Sequence, residues 1–176
     1  MVYVQTVGLV VTAVSVSVAA LYYILTLRET NRKRRVDFSI NLNNFLNSEE
    51  AMLRFRELMN MEYSDYSDFE HKYGSDTNPD NFAKRQAAWW NYNTLGHVLK
   101  SGMIDAESIY ALNGESCIWI WEKSRGLIEE ARRRYNGTDF MRDYEFLYGE
   151  MMRLKLRNDP GFKVPSTFSK FVDAKT

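Results

Sequence analysis

The amino-terminal segment constrains this chain more than any other part of it. Residues 1–27, MVYVQTVGLVVTAVSVSVAALYYILTL, contain no charged side chain. A helix rises about 1.5 Å per residue, so about 20 residues span the roughly 30 Å hydrocarbon core of a bilayer. Lipid offers no partner to a backbone amide, which forces a crossing segment to satisfy its own hydrogen bonds. The sequence therefore predicts a single transmembrane helix over residues 1–27.

A basic cluster follows this run directly. Its members are Arg28, Arg32, Lys33, Arg34 and Arg35. Lysine and arginine beside a membrane span stay on the cytoplasmic side, so we expect the amino terminus outside the cell membrane and the rest of the chain in the cytoplasm. The same cluster could attract anionic lipid, at roughly 1 kcal/mol per residue. We do not expect nucleic acid as a partner, because aromatic and basic residues are not interleaved here.

Two other readings of the apolar run are weaker. A cleaved signal peptide carries basic residues before its apolar core and small residues at the cleavage site. Here nothing basic precedes the core, and bulky Leu21, Tyr22 and Tyr23 follow the small pair before them. A buried pair of strands requires a turn signal, and none interrupts the run after Gly8. The sequence favours an uncleaved membrane anchor over both.

One face of the predicted membrane helix carries small side chains. Gly8, Thr12, Ser15 and Ala19 follow one another at spacings of four, three and four residues, which places them on the same face. Small residues allow two membrane helices to approach closely. We therefore predict a contact face for a second copy of the chain or for another membrane protein.

The rest of the chain predicts an all-α protein, since no strand pattern occurs outside the membrane run. Helical spacing of apolar residues continues through residues 28–47, so the membrane helix is expected to extend through the basic cluster. Residues 48–158 predict a cytoplasmic bundle of about four to five helices. Residues 159–176 predict a loosely ordered tail.

The helices of the bundle are bounded by capping signals. Asn78 before Pro79 marks one start, the pair Asn113-Gly114 marks a break, and Asn136-Gly137 marks an end with Thr138 capping the next helix. A stripe from Cys117 to Tyr135 predicts a buried face. The predicted helices span Ser48–Asn60, a short stretch near Tyr66–Lys72, Pro79–Lys100, Asp105–Leu112, Glu115–Tyr135 and Asp139–Arg157.

The sequence gives little indication of chemistry. Cys117 is the single cysteine, and His71 and His97 are the two histidines. No phosphate-binding loop or dinucleotide fingerprint occurs. The pattern of His71 beside Asp68 and Glu70 favours a solvated acidic loop over a metal site. We predict no catalytic residue, no metal and no cofactor, and keep open an enzymatic site that folding would assemble around Cys117 and His97.

The middle of the chain resembles the domain of unknown function 4760 family. The resemblance rests on the stretch Trp90–Asp105, WNYNTLGHVLKSGMID, then on Trp119 and Trp121, and on the segment Ile128–Arg132. It covers about residues 10–150. It implies a membrane-anchored helical protein of archaea or bacteria, and it implies no activity and no catalytic residues.

The function expected from these features is that of an adaptor or accessory subunit. The anchor, its small-residue face and the lack of recognisable chemistry favour protein–protein contacts over catalysis. Two alternatives remain: an enzyme acting at the membrane surface through Cys117 and His97, and a sensor of anionic lipid that uses the basic cluster.

Overall fold

The computed structural model describes residues 2–165, without the side chains of residues 2–13 and of Arg35. Most of the predicted tail, residues 166–176, lies outside this range. Within it the chain forms six helices and no strand, which confirms the all-α prediction. The helices are α1 (Val2–Leu46), α2 (Glu49–Met59), α3 (Tyr66–Tyr73), α4 (Pro79–Lys100), α5 (Ala106–Tyr135) and α6 (Arg142–Asn158).

The chain divides into two compact units, Met1–Leu42 and Asn43–Thr176. The first unit consists of the greater part of α1, and its side chains from Val14 to Arg34 are exposed. Across the part of the chain that the structure describes, no helix combines the length and the apolar character needed to cross a bilayer.

Capping residues begin the helices of the second unit where the sequence predicts them. Ser48, Asn78 and Asp105 each accept a hydrogen bond from the backbone N–H three residues later, at 3.2, 3.1 and 2.7 Å. Each side chain thereby satisfies one of the free donors that every helix start leaves. The starts of α2, α4 and α5 are therefore set locally.

The predicted break at Asn113 is a kink inside one helix. Asn113 leaves the helical conformation at φ −157°, yet α5 continues on both sides of it. The buried side chain of Asn113 accepts a hydrogen bond from the Tyr92 hydroxyl at 2.7 Å and donates one to Asn47 at 3.0 Å. These contacts satisfy the polar group in the core. The predicted break is therefore present, as a kink between two helical stretches of α5.

The start of α6 differs from the prediction. Asn136 ends α5 in the left-handed conformation, at φ 50°, as the sequence predicts. Thr138 does not cap the next helix, because the chain turns until Met141 and α6 begins at Arg142 with no capping side chain of its own. Asn93 of α4 supplies that cap: its Oδ1 accepts from two backbone N–H groups of α6, both at 3.2 Å.

The core lies where α4, α5 and α6 meet. Tyr144 of α6 is fully buried; its ring stacks on Tyr92 at 5.0 Å, meets Trp121 edge-on at 4.9 Å, and its hydroxyl donates to the Cys117 carbonyl oxygen at 3.1 Å. The α5 stripe is buried from Cys117 to its last turns, but Tyr135 is 76 % exposed at the end of the helix. The predicted burial of that residue is wrong.

Replacing Asn93 by alanine is expected to lower the free energy of unfolding by about 1 kcal/mol, since two N–H groups of α6 lose their acceptor. Urea denaturation measures the change. Thr94→Ala is the control, because Thr94 is exposed on the same turn of α4. Equal losses in the two variants would show that the cap across helices contributes nothing.

Candidate functional site

A cavity of about 450 Å³ lies in the second unit among α3, α4, the end of α5 and the turn that follows α5. Pockets for small molecules usually measure about 300–1,000 Å³ and are lined mostly by apolar and aromatic side chains. This cavity fits both criteria. Its aromatic lining consists of Tyr66, Phe69, Phe82, Trp89, Tyr135 and Phe140.

Arg85 of α4 lines this cavity and is only 3 % exposed. Its Nη1 donates to the carbonyl oxygen of Tyr73 at 3.1 Å and to Oδ1 of Asn81 at 3.1 Å. Its Cζ lies 4.5 Å from the centre of the Phe69 ring and 5.4 Å from that of Trp89. These contacts hold the guanidinium in one place against aromatic faces, an arrangement that stabilises a cation.

No carboxylate pairs with Arg85 among the described residues. Its Nε is buried without a hydrogen-bond partner. The nearby carboxylate of Glu57 is engaged elsewhere, by Asn81 Nδ2 at 3.1 Å and by Lys84 Nζ at 2.8 Å. Burial lowers the pKa of Arg85, an effect that the charge of Glu70 opposes, and an arginine remains protonated in either case. The cavity thus contains a buried cation that no described carboxylate pairs with directly.

Cys117 lies in the core of the bundle. It is a free cysteine with no exposed surface, and burial raises the pKa of its thiol well above the ordinary value. A thiol acts as a nucleophile only as thiolate, which this environment disfavours.

His97 occupies the opposite kind of environment. Its side chain is 73 % exposed, with Nδ1 3.4 Å from an oxygen of Asp143, whose other oxygen pairs with Lys100 Nζ at 2.5 Å. His97 thus belongs to a polar cluster on the surface, with Asp143 and Lys100. Together with the burial of Cys117, these surroundings do not favour a nucleophilic site shared by the two residues.

The ion pair of Asp143 should make stability depend on pH. Its hydrogen bond with Lys100 lowers the pKa of Asp143 below the ordinary 3.8. A carboxylate with a lowered folded-state pKa adds stability well above pH 3.8 and loses it as the pH falls through the lowered value. In Asp143→Asn the free energy of unfolding should therefore fall less steeply as the pH is lowered. Urea denaturation from pH 6 to pH 2 measures this dependence. An unchanged pH dependence in this variant would show that the Asp143 ion pair does not cause it.

The acidic segment around His71 is tied together by local contacts. Asp68 accepts from the backbone N–H of Ser64 and from Lys72 Nζ, both at 2.9 Å. Across residues 2–165, no group of three or more histidine, cysteine or acidic side chains is placed to hold a metal ion.

The residues predicted on α1 are only partly described. Ser15 and Ala19 are exposed, whereas the surroundings of Gly8 and of the Thr12 side chain lie outside what the structure describes. Four members of the basic cluster are exposed, and the side chain of the fifth, Arg35, also lies outside it. Contact with a partner or a lipid surface remains a prediction for both sets.

Arg85 is not among the site residues predicted from the sequence. A signal was present, because Phe82, Arg85 and Trp89 follow helical spacing on one face of α4. An arginine inside an aromatic stripe indicates a buried or ligand-facing cation. The residues that complete its surroundings come from α3 and the end of α5, and their proximity exists only in the folded chain.

The segment Trp90–Asp105 includes the end of α4, which packs against the start of α6. Asn93 caps α6, and a side chain on Gly96 would overlap the backbone of Asp143. Its residues thus place one helix against another, within an all-α bundle that holds an aromatic cavity. The family described as Domain of unknown function (DUF4760) matches residues 9–151, and the chain belongs to this family. No curated protein and no solved structure matches the chain.

Proposed function

We propose that this protein is a single-pass, membrane-anchored adaptor or accessory subunit. Residues 1–27 hold it in the cell membrane with the amino terminus outside. The helical domain of residues 48–158 lies in the cytoplasm and binds another protein. The observation that carries the proposal is the exposure of the apolar part of α1.

Apolar side chains on every side of α1 are open in the described range. Val14 on one side of the helix and Val16 and Tyr23 on the opposite side are 57–64 % exposed. A helix that is apolar all round is covered either by a protein core or by lipid. Thr26 donates its hydroxyl to the Tyr22 carbonyl oxygen at 2.8 Å, which satisfies a polar group within the helix, as lipid requires.

Two lysines in the middle of the run test the anchor. Val14→Lys with Val18→Lys should release the chain from membranes into the supernatant of an alkaline wash, since each charge at the centre of a span costs about 3 kcal/mol. Val36→Lys is the control, because Val36 is also exposed on α1 but lies beyond the basic cluster. Equal retention of the double variant would rule out a span at this place.

The basic cluster supports the proposed orientation. Changing Arg32, Lys33, Arg34 and Arg35 to glutamine should give a population of chains in both membrane orientations. The orientation is measured by adding a cysteine at the amino terminus of the chain and labelling it from outside in intact cells. The buried native Cys117 leaves the label specific for that site. A single unchanged orientation would show that the cluster does not set the topology.

Cysteine crosslinking tests the small-residue face. If two copies meet there, Ser15→Cys and Ala19→Cys should form disulfide-linked dimers in membranes. Ser17→Cys, on the opposite side of α1, should not. Equal crosslinking from all three positions would exclude a specific contact face on α1. If no position forms a dimer, a second copy of the chain is excluded as the partner, and a different membrane protein is the partner that the proposal then predicts.

Trp90 supports a protein partner for the bundle. Two adjacent tryptophans cannot both lie on one buried face of a helix, and Trp90 is 52 % exposed while Trp89 is buried. Exposed tryptophan is common among residues that dominate protein interfaces. After crosslinking in native membranes, we expect one protein to co-purify in constant ratio with the chain and to be lost from Trp90→Ala at unchanged unfolding temperature. Recovery of the chain alone would overturn the adaptor role.

A further inference from the structure

The cavity around Arg85 contains hydrogen-bond donors that the described residues leave unused. A guanidinium carries five N–H donors, and Nη1 is the only nitrogen of Arg85 that donates within the described part of the chain. Leaving a buried charge unpaired destabilises a protein, so buried arginines are normally paired. The folded domain therefore presents a fixed cation to whatever enters the cavity.

We infer that this cavity binds a small organic acid, with one carboxylate facing Arg85 and a flat apolar body lying among the aromatic rings. The planar guanidinium matches a carboxylate through two parallel hydrogen bonds. Tyr66, Phe82 and Tyr135 line the cavity and are less buried than Phe69 and Trp89, so their rings offer faces and edges that suit a flat apolar group. The volume of about 450 Å³ accommodates such a molecule.

The charges at the cavity favour a single negative charge on the ligand. Arg85 is the one basic side chain in the described lining of the cavity, and the exposed Glu70 also lines it. Arg134 lies beside the cavity, with its Cζ 4.2 Å from the centre of the Tyr66 ring, but its charge is paired with Glu130. Glu70 acts electrostatically on both Arg85 and Tyr66, so its charge is felt inside the cavity. A dianionic phosphate would face one cation and be repelled by this carboxylate. A monocarboxylate needs no second cation.

Arg85 is held in position before any ligand arrives. The carbonyl oxygen of Tyr73 and the side chain of Asn81 fix Nη1, and Asn81 is itself fixed by Glu57. Binding then costs little ordering of the protein, which favours measurable affinity for a small molecule.

A titration with matched probes tests this proposal. Full-length protein, kept in the lipid or buffer in which it is monodisperse, is mixed with phenylacetate, phenylacetamide or phenyl phosphate, and binding is followed by ligand-detected NMR. Phenylacetate should bind saturably. The neutral amide should bind about tenfold or more weakly, the contribution of a charge-assisted hydrogen bond, and phenyl phosphate should also be weaker. Equal affinity for acid and amide, tighter binding of the phosphate, or no saturable binding of phenylacetate would overturn the proposal.

Paired substitutions locate the binding in the cavity. Ala131→Leu adds bulk to the cavity wall, while Ala111→Leu makes the same change at an exposed position of α5. Arg85→Lys removes the planar fork, and Arg153→Lys is its exposed control. Phenylacetate affinity should fall about tenfold in the first member of each pair only. Full affinity in Ala131→Leu would exclude this cavity, and that variant decides the question if Arg85→Lys does not fold.

Discussion

Replacing Gly96 by alanine should destabilise the helical domain by about 2 kcal/mol, although alanine is the better helix former by about 1 kcal/mol. The Cβ of an alanine at this position would overlap the carbonyl oxygen of Asp143. That atom belongs to the backbone at the start of α6 and cannot rotate away as a flexible side chain would. The two helices must therefore separate, which weakens packing along their contact.

Gly149→Ala is the matched control for this prediction. Gly149 lies within α6, it is exposed, and an added Cβ would meet nothing within 4 Å. There the helix preference acts alone, so we expect a gain of about 0.5–1 kcal/mol. Thermal and urea denaturation of both variants should give opposite signs. A gain in both would mean that α4 and α6 do not approach as closely as the structure indicates.

Replacing Leu147 by alanine should cost about 2–5 kcal/mol. Leu147 of α6 has no exposed surface. Its truncation removes apolar contacts and leaves a void that close-packed neighbours fill only in part. A domain of this size is typically stable by only about 5–15 kcal/mol, so the variant should lose much of its unfolding free energy.

Leu156→Ala makes the same change on the same helix at a side chain that is 42 % exposed. Its loss should stay below about 1 kcal/mol, because half of the side chain is already in water. The difference between the two variants in urea denaturation measures burial at Leu147. Similar losses in the two would falsify the assignment of α6 to the core.

The sequence predicts the helices of the bundle well because their signals are local. Asn78 and Pro79 start α4 at the predicted residue, and its end at Lys100 also agrees. At the start of α6 the local signal fails, since Thr138 offers a capping hydroxyl that the turn does not use. The cap comes instead from Asn93, about fifty residues away in the chain, and no spacing rule connects the two positions.

The candidate site shows the same limit. The stripe with Phe82, Arg85 and Trp89 is visible in the sequence, but its meaning depends on which groups surround the guanidinium. The carbonyl oxygen of Tyr73 reaches Arg85 only because α3 folds against α4. The sequence likewise leaves open whether Trp89 and Trp90 are both buried. The structure decides this through α5, whose Ser124 accepts a hydrogen bond from Trp89 Nε1 at 2.8 Å, whereas Trp90 stays 52 % exposed.

By itself the sequence determined that the chain is all-α, where most of its helices begin, and that its first 27 residues carry no charge. These properties depend on neighbours within one or two helical turns. The tertiary structure alone decided that Asn93 caps α6, that Gly96 meets the backbone of Asp143, and that the buried Nε of Arg85 has no hydrogen-bond partner in the described chain. Such features depend on distances between residues far apart in sequence, and only packing fixes those distances.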